Sequence, residues 1–484
     1  MSTNTDLEPL SEEFAGADLG DKRRTKRLQR IVDSAARAPS SSLPEQAGSD
    51  GALEGTYRLL SNEHVDAADV LAAHVERTID RVAAVGTVLV IHDTTTFEFS
   101  GEVKREGLGP LRGTGQGFFA HFSLAFGVDG RPLGTVALRA WTRSAEGKGG
   151  KRTVRELQDD DERESLRWHD AVSEVGERLY GRATAIHVMD READSYELFA
   201  HLLEGEQRFV IRLAQDRNLE LRARREPKGP KLYEAMAAGD LFLERDVQLS
   251  RRTGKKRGPT TERIHPARAP RQARLLVRAR HLWVARSQHL SGYLPDALDL
   301  GFVEVTEPNP PQGEAPIVWR LVTNEPIDTE EQVARVIDIY RQRWQIEEFF
   351  KALKTGCAFE KRQLESMRTL GVALAIFSSV AWRLLLLRWM ERHAGQQPAT
   401  LVLTETQLAV LTAFRHREGR PLPQEPTCRD VLLAIAALGG HIRNNGRPGW
   451  QVLGRGLDNL LLLELGWLAA QTQPSDRYYR KYDQ

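Results

Sequence analysis

Cysteine is nearly absent from this chain: Cys357 and Cys428 are the only two thiols in 484 residues. Two distant thiols cannot build a disulfide framework, and they suit a reducing compartment. Neither lies in a CxxC or a Cys/His cluster, so a structural zinc site has no support. An excess of one charge is also missing, with 68 Lys+Arg against 67 Asp+Glu and a formal net charge of +1. Any surface for a polyanion must therefore come from local clustering. Long apolar runs are lacking as well. The longest, near Gly371–Val380, is too short to cross a bilayer. The first residues, MSTNTDLEPLSEEF, are acidic and polar, unlike a signal peptide. No low-complexity tract or internal repeat occurs. These absences predict a cytoplasmic protein with no membrane partner. With 28% charged and 40% hydrophobic residues the composition is that of a globular protein, and the length suggests about two to four domains.

What is present concentrates in YRQRWQIEEFFKALK, Tyr340 to Lys354. On a helix of about 100° per residue, Tyr340, Arg343, Glu347, Lys351 and Lys354 project within roughly 80° of one another. Ile339, Ile346, Phe349, Phe350 and Leu353 fall on a different arc. One stripe can pack into a core while the next presents a carboxylate amid a tyrosine and three cations. The plainer alternative is a solvated face with i,i+4 ion pairs. Glu348 competes with Glu347 but projects about 80° from Tyr340, against roughly 20° on the other side for Glu347. Glu347 is the choice.

Leu19–Gly20–Asp21 reads as a helix start with Asp21 as N-cap. Leu28, Ile31, Val32 and Ala35 form its apolar stripe, and Lys22, Arg23, Lys26, Arg27 and Arg30 lie largely away from it. So many cations without anions suit phosphate contact, or simply a solvated face. Residues 38–51 read as a loop, followed by helical patterns over Leu53–Leu60 and Val65–Ala83. Val88–Ile91 is a wholly apolar run, a buried strand ending at His92–Asp93–Thr94. Phe118–Phe126 and Leu133–Trp141 flank a hairpin signal at 127–131. A helix over Arg163–Leu179, a strand over Ala183–Met189 ending at Asp190, a helix over Ala193–Leu203 and a strand over Phe209–Leu213 follow. This order fits a mixed α/β sheet with helices on its faces. Residues 216–318 read as a β-rich, basic insertion, with RRTGKKRG (251–258) and ARAPRQARLLVRAR (267–280) either gripping DNA or solvated. Val318–Val322 is a last strand. Beyond Leu370, helical patterns cover Leu370–His393, Thr404–Phe414, Cys428–Leu438 and Leu457–Ala470. Gly113, Gly115 and Gly117 lack the setting of a phosphate loop and read as a flexible loop. His121 reads as a satisfied core histidine.

Asp93 and Asp190 each follow a buried strand, and strand ends form the ligand-binding rim of open α/β sheets. With Glu347 from a helix on the sheet, three carboxylates can converge. Oxygen-only ligands suit Mg²⁺ or Mn²⁺, and two such ions support in-line displacement at phosphorus. Taken singly, each aspartate is as well explained by a turn or cap.

These residues resemble the cut-and-paste DDE transposases of the insertion-sequence-four family, typified by the transposon-five transposase. The carriers are IHDTT around Asp93, VMDREAD around Asp190, and the Y-x2-R-x3-E-x6-K signature at Tyr340, Arg343, Glu347 and Lys354. LGDKRRTKRL, LEGTYRLL, RFVIR, WRLVTNEP, RVIDIYRQRW, ALGGH and PGW extend the likeness along essentially the whole chain. The resemblance implies an RNase H-like catalytic core with a β-rich insertion, flanked by N-terminal and C-terminal helical domains. On this reading residues 1–70 bind DNA ends, 71–369 form the catalytic domain with its insertion at 216–318, and 370–484 dimerise. It implies metal ligation by Asp93, Asp190 and Glu347, and phosphate contacts by Tyr340, Arg343 and Lys354, with Arg212 and Lys351 as further contacts. It assigns a flipped base to Trp319 with Trp344 beside it, and joins the cations Arg23, Lys26, Arg27 and Arg30 to end binding. Phe350 departs from the type member, which carries a polar side chain there. The implied protein is a Mg²⁺-dependent transposase acting as a homodimer on double-stranded element ends and target DNA, in the bacterial cytoplasm at the nucleoid. A nuclease on the same core and a catalytically silent DNA-binding relative are the alternatives.

Overall fold

The computed structural model describes residues 9–101, 104–111, 115–143, 166–220, 231–249, 267–290, 292–442 and 447–471. RRTGKKRG, Gly113 and the first residues of the predicted helix at 163 lie outside them. The strands, in chain order, are β1 (Thr87–Phe99), β2 (Gly109–Pro110), β3 (Gln116–Gly127), β4 (Pro132–Trp141), β5 (Thr184–Met189), β6 (Arg208–Arg212), β7 (Asp240–Leu249), β8 (Arg271–Ala285), β9 (Ala297–Thr306) and β10 (Val318–Thr323). The chain divides into two compact units, neither a single run of sequence.

One unit comprises Gly86–Asp93 and Gly150–Trp344. Its sheet order is β1-β5-β6-β10-β9-β8-β7. β1, β5 and β6 are parallel, and from β6 onward each neighbour is antiparallel. The parallel strands are buried along residues 88–92, 185–189 and 209–211, as strands of a parallel sheet are. Trp168, Val172, Phe199, Phe209, Ile211 and Phe302 share one core. The β-rich insertion thus extends the sheet through β7, β8 and β9. The helix Glu330–Arg341 starts at a capping box, Thr329 with Gln332. Arg245 holds it to β7 by a two-armed pair with Asp338 at 2.7 and 3.0 Å.

The other unit comprises Met1–Val85, Thr94–Gly149 and Gln345–Gln484. Asp21 caps the helix Lys22–Arg37, accepting from Arg23 N at 2.8 Å, and Leu28, Ile31, Val32 and Ala35 are its buried residues. Residues 38–51 are not all loop. Ser42 opens a capping box for a short helix, Leu43–Ala47, and Ser49 caps Asp50–Leu60; serines that read as loop chemistry act as N-caps. The β3–β4 hairpin turns through Gly130 at φ 82°, and Asp129 accepts from Arg131 N. Gly117 belongs to β3 and not to a flexible loop: a Cβ there would lie 1.9 Å from the Phe97 carbonyl oxygen. Buried Glu13 takes His74 Nδ1–H at 2.8 Å and Arg81 at 2.6 Å, fastening residues 10–14 to the helix Ala67–Val85. Those two partners outweigh burial and hold the Glu13 carboxyl down at about 2.

Two expectations need correction. The apolar run at Gly371 belongs to a 27-residue helix, Met367–His393, long and apolar enough by composition to cross a membrane. Its most apolar window is 83% buried inside the structure, as a core helix would be. Tyr340–Lys354 is not one continuous helix. The helix ends at Arg341, Gln342 and Arg343 make tight i→i+3 bonds, a new helix runs Trp344–Lys351, and Ala352–Gly356 forms a π-turn. A single 100° wheel therefore misplaces residues on opposite sides of the break.

Candidate active site

Asp93 does not end a strand. β1 continues to Phe99, since Thr94–Phe99 is β-branched and aromatic. What ends is the ladder with β5, whose last pair is Ile91 with Val188. Carrying that offset two residues on sets Asp93 opposite Asp190. Strand side chains alternate, so both carboxylates leave the same face, and neighbouring strands are about 4.8 Å apart. Asp190 also accepts from Glu192 N at 2.8 Å, which fixes the turn after β5.

Cations and rings of the same unit surround this pair. Arg343 Nη1 donates to Asp93 Oδ2 at 3.1 Å. Tyr340, buried, has its hydroxyl pushed up by burial and by Asp190, while Arg212 and Arg343 pull it down. Arg212 donates to the Val318 carbonyl at 3.2 Å, and burial lowers its guanidinium from the ordinary range, with Arg191 and Arg343 adding repulsion. Arg191 is a residue the sequence reading passed over; its signal was a cation directly following Asp190. Trp319 is half-buried on β10 and meets the Tyr340 ring edge-on at 5.6 Å. Trp344 is 56% exposed, so it is no core residue.

In the other unit, Glu347 and Glu348 lie on the helix that follows the break. Glu348 is taken: Lys351 Nζ reaches it at 2.7 Å and Arg388 Nη1 at 2.6 Å. Burial pushes its carboxyl up, but the Lys351 hydrogen bond and the Arg388 charge prevail and hold it below the usual range. Lys351 is thereby occupied. Glu347 is half-buried. Lys354 Nζ donates to the Thr96 carbonyl at 2.5 Å and lies 3.6 Å from Glu360. Burial lowers its ammonium, and the Phe97 ring lies 5.2 Å from it. His121 is buried, and its Nδ1 lies 2.9 Å from Thr94 Oγ1.

On the first helix Arg23, Lys26 and Arg30 are exposed. Among the described residues Lys26, Arg27 and Arg30 meet no acidic partner, and Arg27 lies across Gly55, where a Cβ would come within 2.2 Å of its Nη1. The cations of the insertion that are described are largely spent: Arg271 pairs with Glu307 and Glu314, and Arg274 with Glu244.

Among the described residues no three His, Cys, Asp or Glu side chains form a metal-sized group. Asp93 and Asp190 do fit a hard divalent ion as two adjacent oxygen donors on one face.

The profile of the family described as "Transposase DDE domain" matches residues 128–379, more than half of the chain. The chain belongs to the DDE transposases. Asp190 and Glu347 fall within the matched span and Asp93 precedes it. The mixed α/β sheet with flanking helices is the RNase H-like architecture of that family. A second profile, "Transposase DNA-binding", matches residues 8–65. Among solved structures, the piggyBac transposase synaptic complex with hairpin DNA is similar at a TM-score of 0.36 and 10% identity, over 99% of this chain and 83% of that one.

Proposed function

We propose that this DDE transposase is a cut-and-paste enzyme of the insertion-sequence-four kind, marked by the YREK signature. The observation that carries the reading is the meeting of signature residues with strand carboxylates. Tyr340 and Arg343, three residues apart, reach toward Asp190 and Asp93, which β5 and β1 deliver to one face. Divalent metal, Mg²⁺ with Mn²⁺ as a substitute, would be held by Asp93, Asp190 and Glu347 as a two-metal site. When bound, it supplies activation of an oxygen nucleophile and neutralisation of the leaving oxygen.

The chain's own residues supply the rest. Arg343 presents a planar fork that suits a phosphate, and Tyr340 with Arg212 would give a second phosphate contact. Lys354, and Lys351 beyond its pairing with Glu348, would be further phosphate contacts. Trp319 offers a flat ring for a flipped base, with Trp344 as the exposed neighbour. Arg23, Lys26, Arg27 and Arg30 grip the element end through phosphates. A nick frees a 3′-hydroxyl, which attacks the opposite strand and leaves a hairpin on the element end. Water opens the hairpin, and the freed 3′-hydroxyl then attacks target DNA. Each displacement uses an oxygen at a phosphodiester, so one set of carboxylates serves them all.

Pairing two ends requires two subunits. We assign that contact to the chain after Leu370, where Leu462, Leu465 and Trp467 are exposed on Trp450–Gln471. The enzyme would work at the bacterial nucleoid, in the cytoplasm.

The test is a labelled DNA end taken from inverted repeats flanking the gene, incubated with purified protein and Mg²⁺. A hairpin-ended product is expected. Nicks or breaks without hairpin or joining would favour the nuclease, and binding without cleavage the silent relative.

A further inference from the structure

Behind the two aspartates the sheet carries a buried polar bridge. His92 and His187 are both fully buried. His92 Nε2 lies 2.9 Å from His187 Nδ1, and the rings stack at 5.1 Å with 26° between their planes. His187 Nε2 lies 3.3 Å from Gln207 Oε1, and Gln207 Nε2 donates to the Gly205 carbonyl at 2.8 Å. That last bond orients the Gln207 amide, which makes its Oε1 an acceptor. His187 must then donate from Nε2 and accept at Nδ1, so His92 donates from Nε2. One proton arrangement satisfies the whole chain.

The location is what matters. Residues 88, 90 and 92 of β1 share a face with 185, 187 and 189 of β5, given the pairing of Val90 with His187. Asp93 and Asp190 leave the opposite face, two residues past the last backbone pair. Adjacent strands rotate away from one another by about 20°, so an unpaired stretch is where the spacing of two side chains would drift. The histidine bridge, from His187 inside the ladder to His92 one residue past its last pair, ties the strands at the edge of that stretch. An apolar pair would cost no desolvation and would fill the same core; what the imidazoles add is a fixed distance.

We propose that His92 and His187 are positioning residues that set the separation of Asp93 and Asp190 for a divalent ion. This rests on the reading that those aspartates hold the metal. Mg²⁺ demands near-ideal octahedral distances of about 2.1 Å, so a small splay of the strands weakens the site without touching the DNA grip.

The test uses the full chain, with Mn²⁺ binding followed by electron paramagnetic resonance, the Mg²⁺ concentration for half-maximal end cleavage, end binding in EDTA, and Tm. His92→Leu and His187→Leu should each weaken Mn²⁺ binding by about tenfold and raise the Mg²⁺ requirement to match, the range seen for outer supports of metal ligands. End binding in EDTA should not change. His92→Gln, which keeps a donor at the Nε2 position, should restore both values to within about twofold. Leucine variants with wild-type Mn²⁺ affinity, or a glutamine variant as impaired as leucine, would overturn the proposal. Should the leucine variants not fold, Gln207→Leu removes only the outer bond of the chain. It should raise the Mg²⁺ requirement by about threefold, and no shift would count against the bridge. Asp93→Ala separates the two ideas. If it binds Mn²⁺ as wild type does, the metal reading itself is wrong; if it loses Mn²⁺ while the leucine variants do not, only the bridge is.

Discussion

The turn after β5 carries Asp190, Glu192 and Asp194 within five residues, the helix that begins at Trp344 carries Glu347 and Glu348, and the last acid of each is held differently. In the turn, Asp194 is 4% exposed and accepts from Ala214 N at 2.6 Å and Gln215 N at 2.8 Å. Arg217 meets it at 2.5 Å as an ion pair without hydrogen-bond alignment. In the helix, Glu348 is held by side chains alone, Lys351 and Arg388. One carboxylate caps backbone and the other closes a charge network. In each region the last acid is bound into the fold, and the proposed chemistry falls to Asp190 and Glu347. Acidic residues that look equivalent in sequence are told apart by what already holds them.

The largest effect should separate Asp190 from Asp194. Asp190→Ala should abolish end cleavage, as Asp93→Ala should, with end binding close to wild type, because on the proposed reading these carboxylates hold the metal. Asp194→Ala should do the reverse. It strands Arg217 and removes the acceptor of two backbone N–H groups, and breaking a buried pair costs about 3–5 kcal/mol, so its Tm should fall by many degrees before activity is even considered. Thermal melts beside a gel cleavage assay read both; active Asp190→Ala would dissolve the comparison.

Glu347→Gln and Glu348→Gln sharpen it next. The first should lose cleavage. The second should keep measurable cleavage and lose stability at neutral pH. The Glu348 carboxyl lies below its ordinary 4.5 in the folded chain. Its stabilising contribution is therefore fully present above 4.5 and disappears as pH falls through the lower folded value. Glu348→Gln should flatten that acid limb in denaturation curves measured from pH 7 down to pH 3. Loss of cleavage in Glu348→Gln with near-normal Glu347→Gln would show that the two roles are exchanged.

Much of this was legible in sequence because it rests on short-range rules. The cap at Asp21, the buried stripe of the first helix, the hairpin at Gly130 and the apolar strands at 88–91 and 184–189 follow from period and turn chemistry. What the sequence hid depends on distant partners. Nothing local says that Arg388 will claim Glu348, forty residues earlier, or that Gln207 will order His187. The break at Gln342–Arg343 was hidden too, since neither Gly nor Pro marks it. The continuation of β1 past Asp93 was missed because the ladder with β5, and not the strand, ends there.

The same distinction between spent and available charge applies to the basic segments, with a smaller expected effect. Replacing Arg23, Lys26, Arg27 and Arg30 with Ala should weaken end binding by roughly 10–100-fold and lower the salt slope by about 0.9 per lost phosphate contact. Arg271→Ala and Arg274→Ala remove arginines already paired with Glu307, Glu314 and Glu244, so they should leave the slope alone and show themselves in Tm. An unchanged slope in the first set, read by shift assays across a salt series, would assign those four cations to solubility.

The smallest effect concerns aromatic rings that are occupied against rings that remain open. Trp382 is buried, donates from Nε1 to the Pro132 carbonyl at 3.1 Å and carries Arg81 on its face at 4.2 Å, so it belongs to the core. Trp319 is only half-buried and touches Tyr340 by an edge-to-face contact, a geometry that does not use up both faces of the indole. A base leaving its stack needs such a surface to offset part of the lost stacking, about 1–3 kcal/mol per base. The need is greatest where the DNA bends most, in the hairpin. Trp319→Ala should therefore slow hairpin formation by roughly tenfold, consistent with that stacking range, while the first nick proceeds near its normal rate. Trp319→Phe should recover much of the loss because a ring remains. Single-turnover kinetics on an end-labelled duplex resolve the nicked and hairpin species. Equal slowing of both steps would place Trp319 in the packing of β10 and leave the flipped base to another residue.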